Sequence, residues 1–173
     1  MDAVTPDISA RERANMMRFR NVDTLPTHIN MAPFFKQDGK QIEQMLDTNV
    51  YHVAATARKL LPGLVARSKK TGLIIVSSIT EFMPADQGTV YSATKAFVGF
   101  LARSLKIENP DLDILCLQPG WVATPMIKGF TFPFSISTPA DVVKCAMRDL
   151  GYQTCTYGTI TSAVSGSVGL LAL

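Results

Sequence analysis

The chain has 173 residues, 47% of them hydrophobic and 18% charged, enough for one domain with a core and too apolar for a disordered segment. Its formal net charge is +3, from 17 basic and 14 acidic residues with no run of five or more like charges, and the missing basic stripe argues against nucleic acid as a partner. Cys116, Cys145 and Cys155 are an odd, widely spaced set, and His28 and His52 stand far apart. A disulfide framework and a metal centre are both disfavoured, and a reducing compartment is the simpler reading.

Arg11 to Arg20 is basic and helix-compatible but lacks the apolar run of a secretory signal, and Asp2, Asp7 and Glu12 argue against a transit peptide. Residues 21 to 37 read as irregular, with Pro26 and Pro33 bracketing His28-Ile29-Asn30-Met31. Asp38 is a suitable N-cap for a helix whose apolar positions run Ile42, Met45, Leu46, Val50, Val53, Ala57, Leu60, Leu61 and Leu64. Pro62 is expected to kink or end that helix. Leu73 to Val76, after Gly72 and before Ser77-Ser78, is a short continuous apolar run of the kind a strand buried on both faces shows. A loop with Pro84, Asp86 and Gly88 leads to a helix from about Thr89 to Ile107, with an expected stripe of Val90, Ala93, Phe97, Phe100, Leu101 and Leu105. Asn109-Pro110 stops it. Leu112 to Leu117 is a second strand ending at Gln118-Pro119-Gly120, and Thr138-Pro139 caps a last helix reaching about Leu150. Thr159 to Leu173 is apolar and rich in small residues, yet shorter than the roughly 20 residues a spanning helix needs. It reads either as a buried terminal element or as a membrane-contacting segment.

Helix, strand, helix, strand, helix is the order of βαβ units on a parallel sheet. Ligands of such sheets sit beyond the carboxyl ends of the strands, which singles out Ser77, Ser78, Pro119 and Gly120. Tyr91 and Lys95 are four apart on one helix and share a face. An ammonium beside a phenol favours the phenolate and lowers its pKa from about 10, which makes it a usable proton donor or acceptor. Ser78 lies thirteen residues before Tyr91 at a strand end, and Asn49 is an amide inside an apolar stripe that must find partners.

Ser78, then Tyr91-Ser92-Ala93-Thr94-Lys95, then Pro119-Gly120-Trp121-Val122-Ala123-Thr124 resembles the short-chain dehydrogenase/reductase superfamily over residues 29 to 150. Within it, Leu60-Leu61-Pro62-Gly63-Leu64-Val65, Arg67-Ser68-Lys69 and Tyr91 to Val98 look most like the 17β-hydroxysteroid dehydrogenase and very-long-chain 3-ketoacyl-CoA reductase branch. The resemblance implies an α/β fold, a Rossmann-like parallel sheet with flanking helices, whose N-terminal strands are missing here. Residues 1–28 would form an irregular or basic N-terminal segment and 29–173 a partial catalytic domain. It implies reduction of a ketone of 3-ketoacyl or steroid type by hydride transfer. Tyr91 would be the general acid, Ser78 would hold the carbonyl oxygen, and Asn49 would organise a proton-relay water. Lys95 would tune Tyr91 and bind the nicotinamide ribose. Asn30, Pro119, Gly120 and Thr124 would line the cofactor, with no metal. The cofactor is expected to be NADP(H) rather than NAD(H), more weakly held than usual.

Two departures qualify this reading. No G-x-x-x-G-x-G occurs in the sequence, so the loop that would let backbone and helix N-terminus approach a pyrophosphate has no counterpart. The family's N-N-A-G is reduced to Ile29-Asn30-Met31-Ala32. One side of the sheet should therefore be an open edge, covered by the N-terminal segment or another chain, or exposed in a truncated product. The alternative function is a truncated, non-catalytic isoform or pseudoenzyme acting only through association with partners. Expected partners are a small apolar carbonyl or alcohol substrate, a second copy or a full-length relative as dimer partner, and a membrane contacted through the C-terminal apolar segment. The expected location is intracellular, in the cytoplasm or at the endoplasmic reticulum membrane surface. The loop from Gly120 to Thr138, with Trp121, Met126, Phe130, Phe132 and Phe134, faces an apolar substrate or simply covers the core.

Overall fold

A computed structural model describes residues 32–127 and 136–164. Asp38 caps the first helix, α1 (Gly39–Leu46), its carboxylate accepting the Lys40 N–H at 3.2 Å. The chain then widens into a π-helical turn, Asp47–Tyr51, and continues as α2 (His52–Val65). Pro62 neither ends nor interrupts α2. It sits in the last turn, and its carbonyl still accepts the Ala66 N–H, so the missing proline N–H leaves the remaining turn intact.

Strand β1 (Gly72–Val76) pairs in parallel with β2 (Asp113–Leu117), and helix α3 (Thr89–Glu108) connects them. Helix α4 (Pro139–Asp149) opens at Thr138, whose hydroxyl accepts the Asp141 N–H at 3.1 Å, with Pro139 in the first turn where its missing N–H is not needed. A short strand β3 (Cys155–Thr156) joins the free side of β2, giving a parallel sheet in the order β1-β2-β3.

The sheet is the middle of three layers. Ile75, Ile114 and Cys116 face α2 and α3, where they meet Ala57, Val98, Ala102 and Leu105. Leu115 and Leu117 face the other way, onto Val142 and Ala146 of α4. Strand β2 is thus buried on both faces, as its unbroken apolar run requires. Strand β1 is an edge among the described residues, and Val76 at its end is half exposed.

The expected stripe on α3 is only partly correct. Val90 and Leu105 are buried, but Ala93, Phe97 and Phe100 face outward, and Phe100 is 69% exposed. The packed face is Val90, Thr94, Val98, Ala102 and Leu105, because small and β-branched side chains let the helix lie close to the sheet. Along α1, the π-helical turn and α2, only Ala57 is fully buried.

Candidate active site

The carboxyl ends of β1 and β2 are fastened together beyond the regular ladder. The Ser77 N–H donates to the Leu117 carbonyl at 2.7 Å, and the Ile79 N–H donates to the Pro119 carbonyl at 3.1 Å. The two polar strand ends singled out by topology therefore lie side by side. Ser78 is extended and buried, and its hydroxyl accepts the Thr80 N–H at 3.2 Å, capping a single 3₁₀ turn, Ile79–Glu81. Ser77 has a different role. Its hydroxyl donates to the Lys95 carbonyl at 2.9 Å and so docks α3 against the strand end.

This docking brings the predicted pair to the site. The Ser78 side chain lies beside the Tyr91 phenol, close enough to lower its pKa. The Lys95 ammonium donates to the Val76 carbonyl at 3.3 Å and lies over the Tyr91 ring, 5.7 Å from its centre. Burial pushes the phenol above its ordinary value, and Ser78 draws it part of the way back. The lowering expected from Lys95 is not the net direction. Burial also holds Lys95 below the ordinary lysine value, a shift that the neighbouring Cys116 opposes.

Asn49 lies in the π-helical turn, a local widening that commonly marks functional positions. Its amide donates to the Thr94 hydroxyl at 3.1 Å, and that hydroxyl donates to the Tyr91 carbonyl at 2.7 Å. Asn49 is thereby tied to the helix that carries Tyr91 and Lys95. Thr94, 1% exposed, is a positioning residue that sequence reasoning missed. The available signal was its place three residues after Tyr91 on the packed face.

Of the predicted cofactor-lining residues, Pro119 and Gly120 follow the end of β2, and Thr124 is exposed just before the turn Pro125–Ile127. Asn30, Phe130, Phe132 and Phe134 lie outside the described residues. Gly120 is held from behind. Its N–H donates to the Ser162 hydroxyl at 3.0 Å, and a Cβ on Gly120 would come within 3.2 Å of the Ser162 Cα. Ser162 belongs to a hydroxyl network with Ser137, Thr159 and Thr161. Ser137 also pairs with the backbone on either side of Val122. Ser162→Ala would leave the Gly120 N–H unpaired at a site 1% exposed and is expected to destabilise the protein by about 1–3 kcal/mol, read by urea unfolding. A loss below ~0.5 kcal/mol, the range of an ordinary surface change, would show that this anchor is dispensable.

Among the described residues no group of three or more His, Cys, Asp or Glu side chains could hold a metal ion, and no helix is long and apolar enough to cross a membrane.

The sequence pattern of the short chain dehydrogenase family matches residues 11–131. The chain belongs to that family. The match begins well upstream of residue 29, where the visible motifs start. Among relatives, the very-long-chain 3-oxoacyl-CoA reductase of Anas platyrhynchos is 36% identical over 132 residues, covering 75% of this chain and 42% of the relative. That of Bos taurus is 29% identical over 181 residues, covering 97% of this chain and 57% of the relative. The chain thus spans about half the length of these reductases, the branch its motifs resemble. A short-chain dehydrogenase from Burkholderia cenocepacia in complex with NADP superposes with a TM-score of 0.73 at 19% identity, covering 96% of this chain and 74% of that one. Another from Sphingobium yanoikuyae, in complex with NADPH, gives 0.69 at 20% identity, covering 95% and 72%. These likenesses establish the Rossmann-like fold of a short-chain dehydrogenase.

Lys95 allows a test that needs no substrate. Its folded pKa is depressed, so between that value and the ordinary 10.5 the unfolded chain holds a proton that the folded chain releases. Stability therefore rises with pH through that window, and the full cost is present below it. Lys95→Met removes the cost, while the Val76 carbonyl it frees is on a half-exposed residue within reach of water. The expected result is a Tm about 2–4 °C higher at pH 7 and a smaller rise in stability towards pH 10 than in the unsubstituted protein, followed by thermal melts across pH. A lower Tm at pH 7 would contradict it.

Proposed function

We propose that this short-chain dehydrogenase reduces a ketone of 3-ketoacyl or steroid type to the alcohol, with Tyr91 as proton donor. The observation that carries the reading is the cluster at the strand ends, where Ser78 lies beside the Tyr91 phenol and Lys95 lies over its ring. A nicotinamide nucleotide supplies hydride when bound. The chain offers a fit for its nicotinamide half: Tyr91 and Lys95 for the ribose, and the backbone of Pro119 and Gly120 beside the ring. The Gln118 amide nitrogen, next to Pro119, is buried without a partner among the described residues and leaves a donor at that end of β2. For the pyrophosphate half the sequence has no glycine-rich loop. We infer NADP(H) rather than NAD(H), more weakly held than in a full sheet, and the NADP and NADPH complexes of the structural neighbours support that choice.

In this reading Ser78 holds the carbonyl oxygen, and Tyr91 gives it a proton from a phenol that burial keeps protonated near neutral pH. Lys95 fixes the phenol and binds the ribose. Asn49 aligns the helix through Thr94 and organises the water that returns a proton. The names of the relatives support an apolar acyl substrate, and Trp121, which follows Gly120, and Met126 are large apolar side chains left exposed. Leu60, Val65, Phe97 and Phe100 on the outer faces of α2 and α3 support a dimer with a second copy or a longer relative. The same lineage supports the cytoplasm or the endoplasmic reticulum membrane surface as the location.

The test is incubation of the purified chain with NADPH and 3-ketoacyl-CoA, with a steroid ketone in parallel, and mass spectrometry of the product. The 3-hydroxyacyl or hydroxysteroid product is expected, and its absence at saturating nucleotide overturns the reading. One observation, the missing glycine-rich loop, favours a second reading in which the chain acts only by associating with partners. Calorimetric titration with NADPH separates the two, because the second reading requires no binding at millimolar nucleotide.

A further inference from the structure

A cluster on the sheet face below the active site has no part in ketone reduction. Cys116 of β2 and Cys155 of β3 are register partners on adjacent parallel strands. Strands so paired run about 4.7–4.9 Å apart, inside the roughly 4.4–6.8 Å Cα separation that a disulfide spans. Both side chains join one packing cluster beneath α3, with Val98 and Ala102, so they point to the same face. The two thiols are near enough for Cys155 to raise the Cys116 pKa, and all three cysteines of the chain are free.

The surroundings of the pair are polar. The Cys116 thiol donates to the Glu81 carboxylate at 3.8 Å. Glu81 is ion-paired with Arg103, and the Arg103 guanidinium is also near the Cys155 sulfur. Gly99 makes room for this arrangement, since a Cβ there would overlap the Glu81 carboxylate. Cys116 is fully buried, whereas Cys155 is partly exposed.

We propose that Cys116 and Cys155 form an oxidation site, closed by hydrogen peroxide into a reversible cross-strand disulfide. The exposed partner reacts first. The Cys155 sulfur attacks the peroxide, its S–O bond forms as the O–O bond breaks, and one water leaves, giving a sulfenic acid. The Cys116 sulfur then attacks the Cys155 sulfur. The S–S bond forms as the S–O bond breaks, and the Cys116 proton passes to Glu81 and on to the departing hydroxide as a second water. Two electrons have moved from the sulfurs to the peroxide. Burial raises the Cys116 pKa, so an adjacent carboxylate is the base this second step needs. The bond would also fix β3, which pairs with β2 through only two residues and leads directly to the Ser162 anchor of Gly120.

Peptide mapping of the whole protein after hydrogen peroxide, with alkylation of the remaining thiols, tests this. A Cys116–Cys155 crosslinked peptide pair is expected, with Cys145 alone alkylated and full reversal by dithiothreitol. In Cys155→Ser, Cys116 should stay alkylatable at the same peroxide dose. Three alkylated cysteines, a sulfinic acid at Cys155 beside a free Cys116, or a bond involving Cys145 overturns the proposal. The mapping is done on the unsubstituted chain, so it stands even where Cys155→Ser does not fold.

Discussion

Tyr91→Phe is expected to lower the turnover of ketone by about 10²–10⁴-fold, the usual contribution of a positioned general acid. The change removes one hydroxyl and leaves the ring, so the position of Lys95 over that ring, 5.7 Å from its centre, should persist. The lost group is the one that lies beside Ser78 and whose pKa burial raises, so it holds its proton at neutral pH. Single-turnover measurements with saturating NADPH isolate the chemical step from nucleotide binding. Tyr91→Phe retaining more than about a tenth of the rate would mean that the proton comes from elsewhere.

The parts of this site that could be read from the sequence are those whose chemistry is local. Tyr91 and Lys95 share a helix, Ser78 ends an apolar run, and Asp38 and Thr138 cap helices through their own side chains, so spacing alone places each of them. What depends on packing between distant segments was not legible. The partner of Asn49 is Thr94, 45 residues away, and the π-helical turn that holds Asn49 has no sequence signature. On α3 the large aromatics Phe97 and Phe100 fit a 3.6-residue period as well as Val98 and Ala102 do, and periodicity cannot tell which face meets a sheet. The sheet chose the small side chains. Strand β3 has two residues, too few for any alternation to register, and its place is fixed by β2 rather than by its own composition. Ser162 supports Gly120 from 42 residues away, and nothing near Ser162 announces it.

Glu81 and Arg103 are a further case of packing between segments, and Arg103→Ala is expected to destabilise the protein more than Ser162→Ala does. The Glu81 side chain is 1% exposed and has Arg103 as its ion-pair partner, itself 29% exposed. Removing the guanidinium leaves a buried carboxylate facing the Cys116 thiol and the backbone of Gly99, neither of which can replace a charge. Breaking a buried pair in this way costs about 3–5 kcal/mol, and the partial exposure of Arg103 places the expected loss at the lower end, about 3 kcal/mol. For a domain of this size that is roughly 6–12 °C in Tm. Arg103 also covers the rings of Phe82 and Phe100, at 5.9 and 4.8 Å, so some of the loss is packing rather than charge. A double substitution separates the two contributions. Glu81→Leu with Arg103→Ala removes the orphaned charge and should recover more than half of the loss, whereas a packing defect at Arg103 would persist. Urea unfolding of the two single variants and the double variant gives the coupling directly. If Arg103→Ala falls within about 0.5 kcal/mol of the unsubstituted chain, water reaches Glu81 and the pair is an ordinary surface contact.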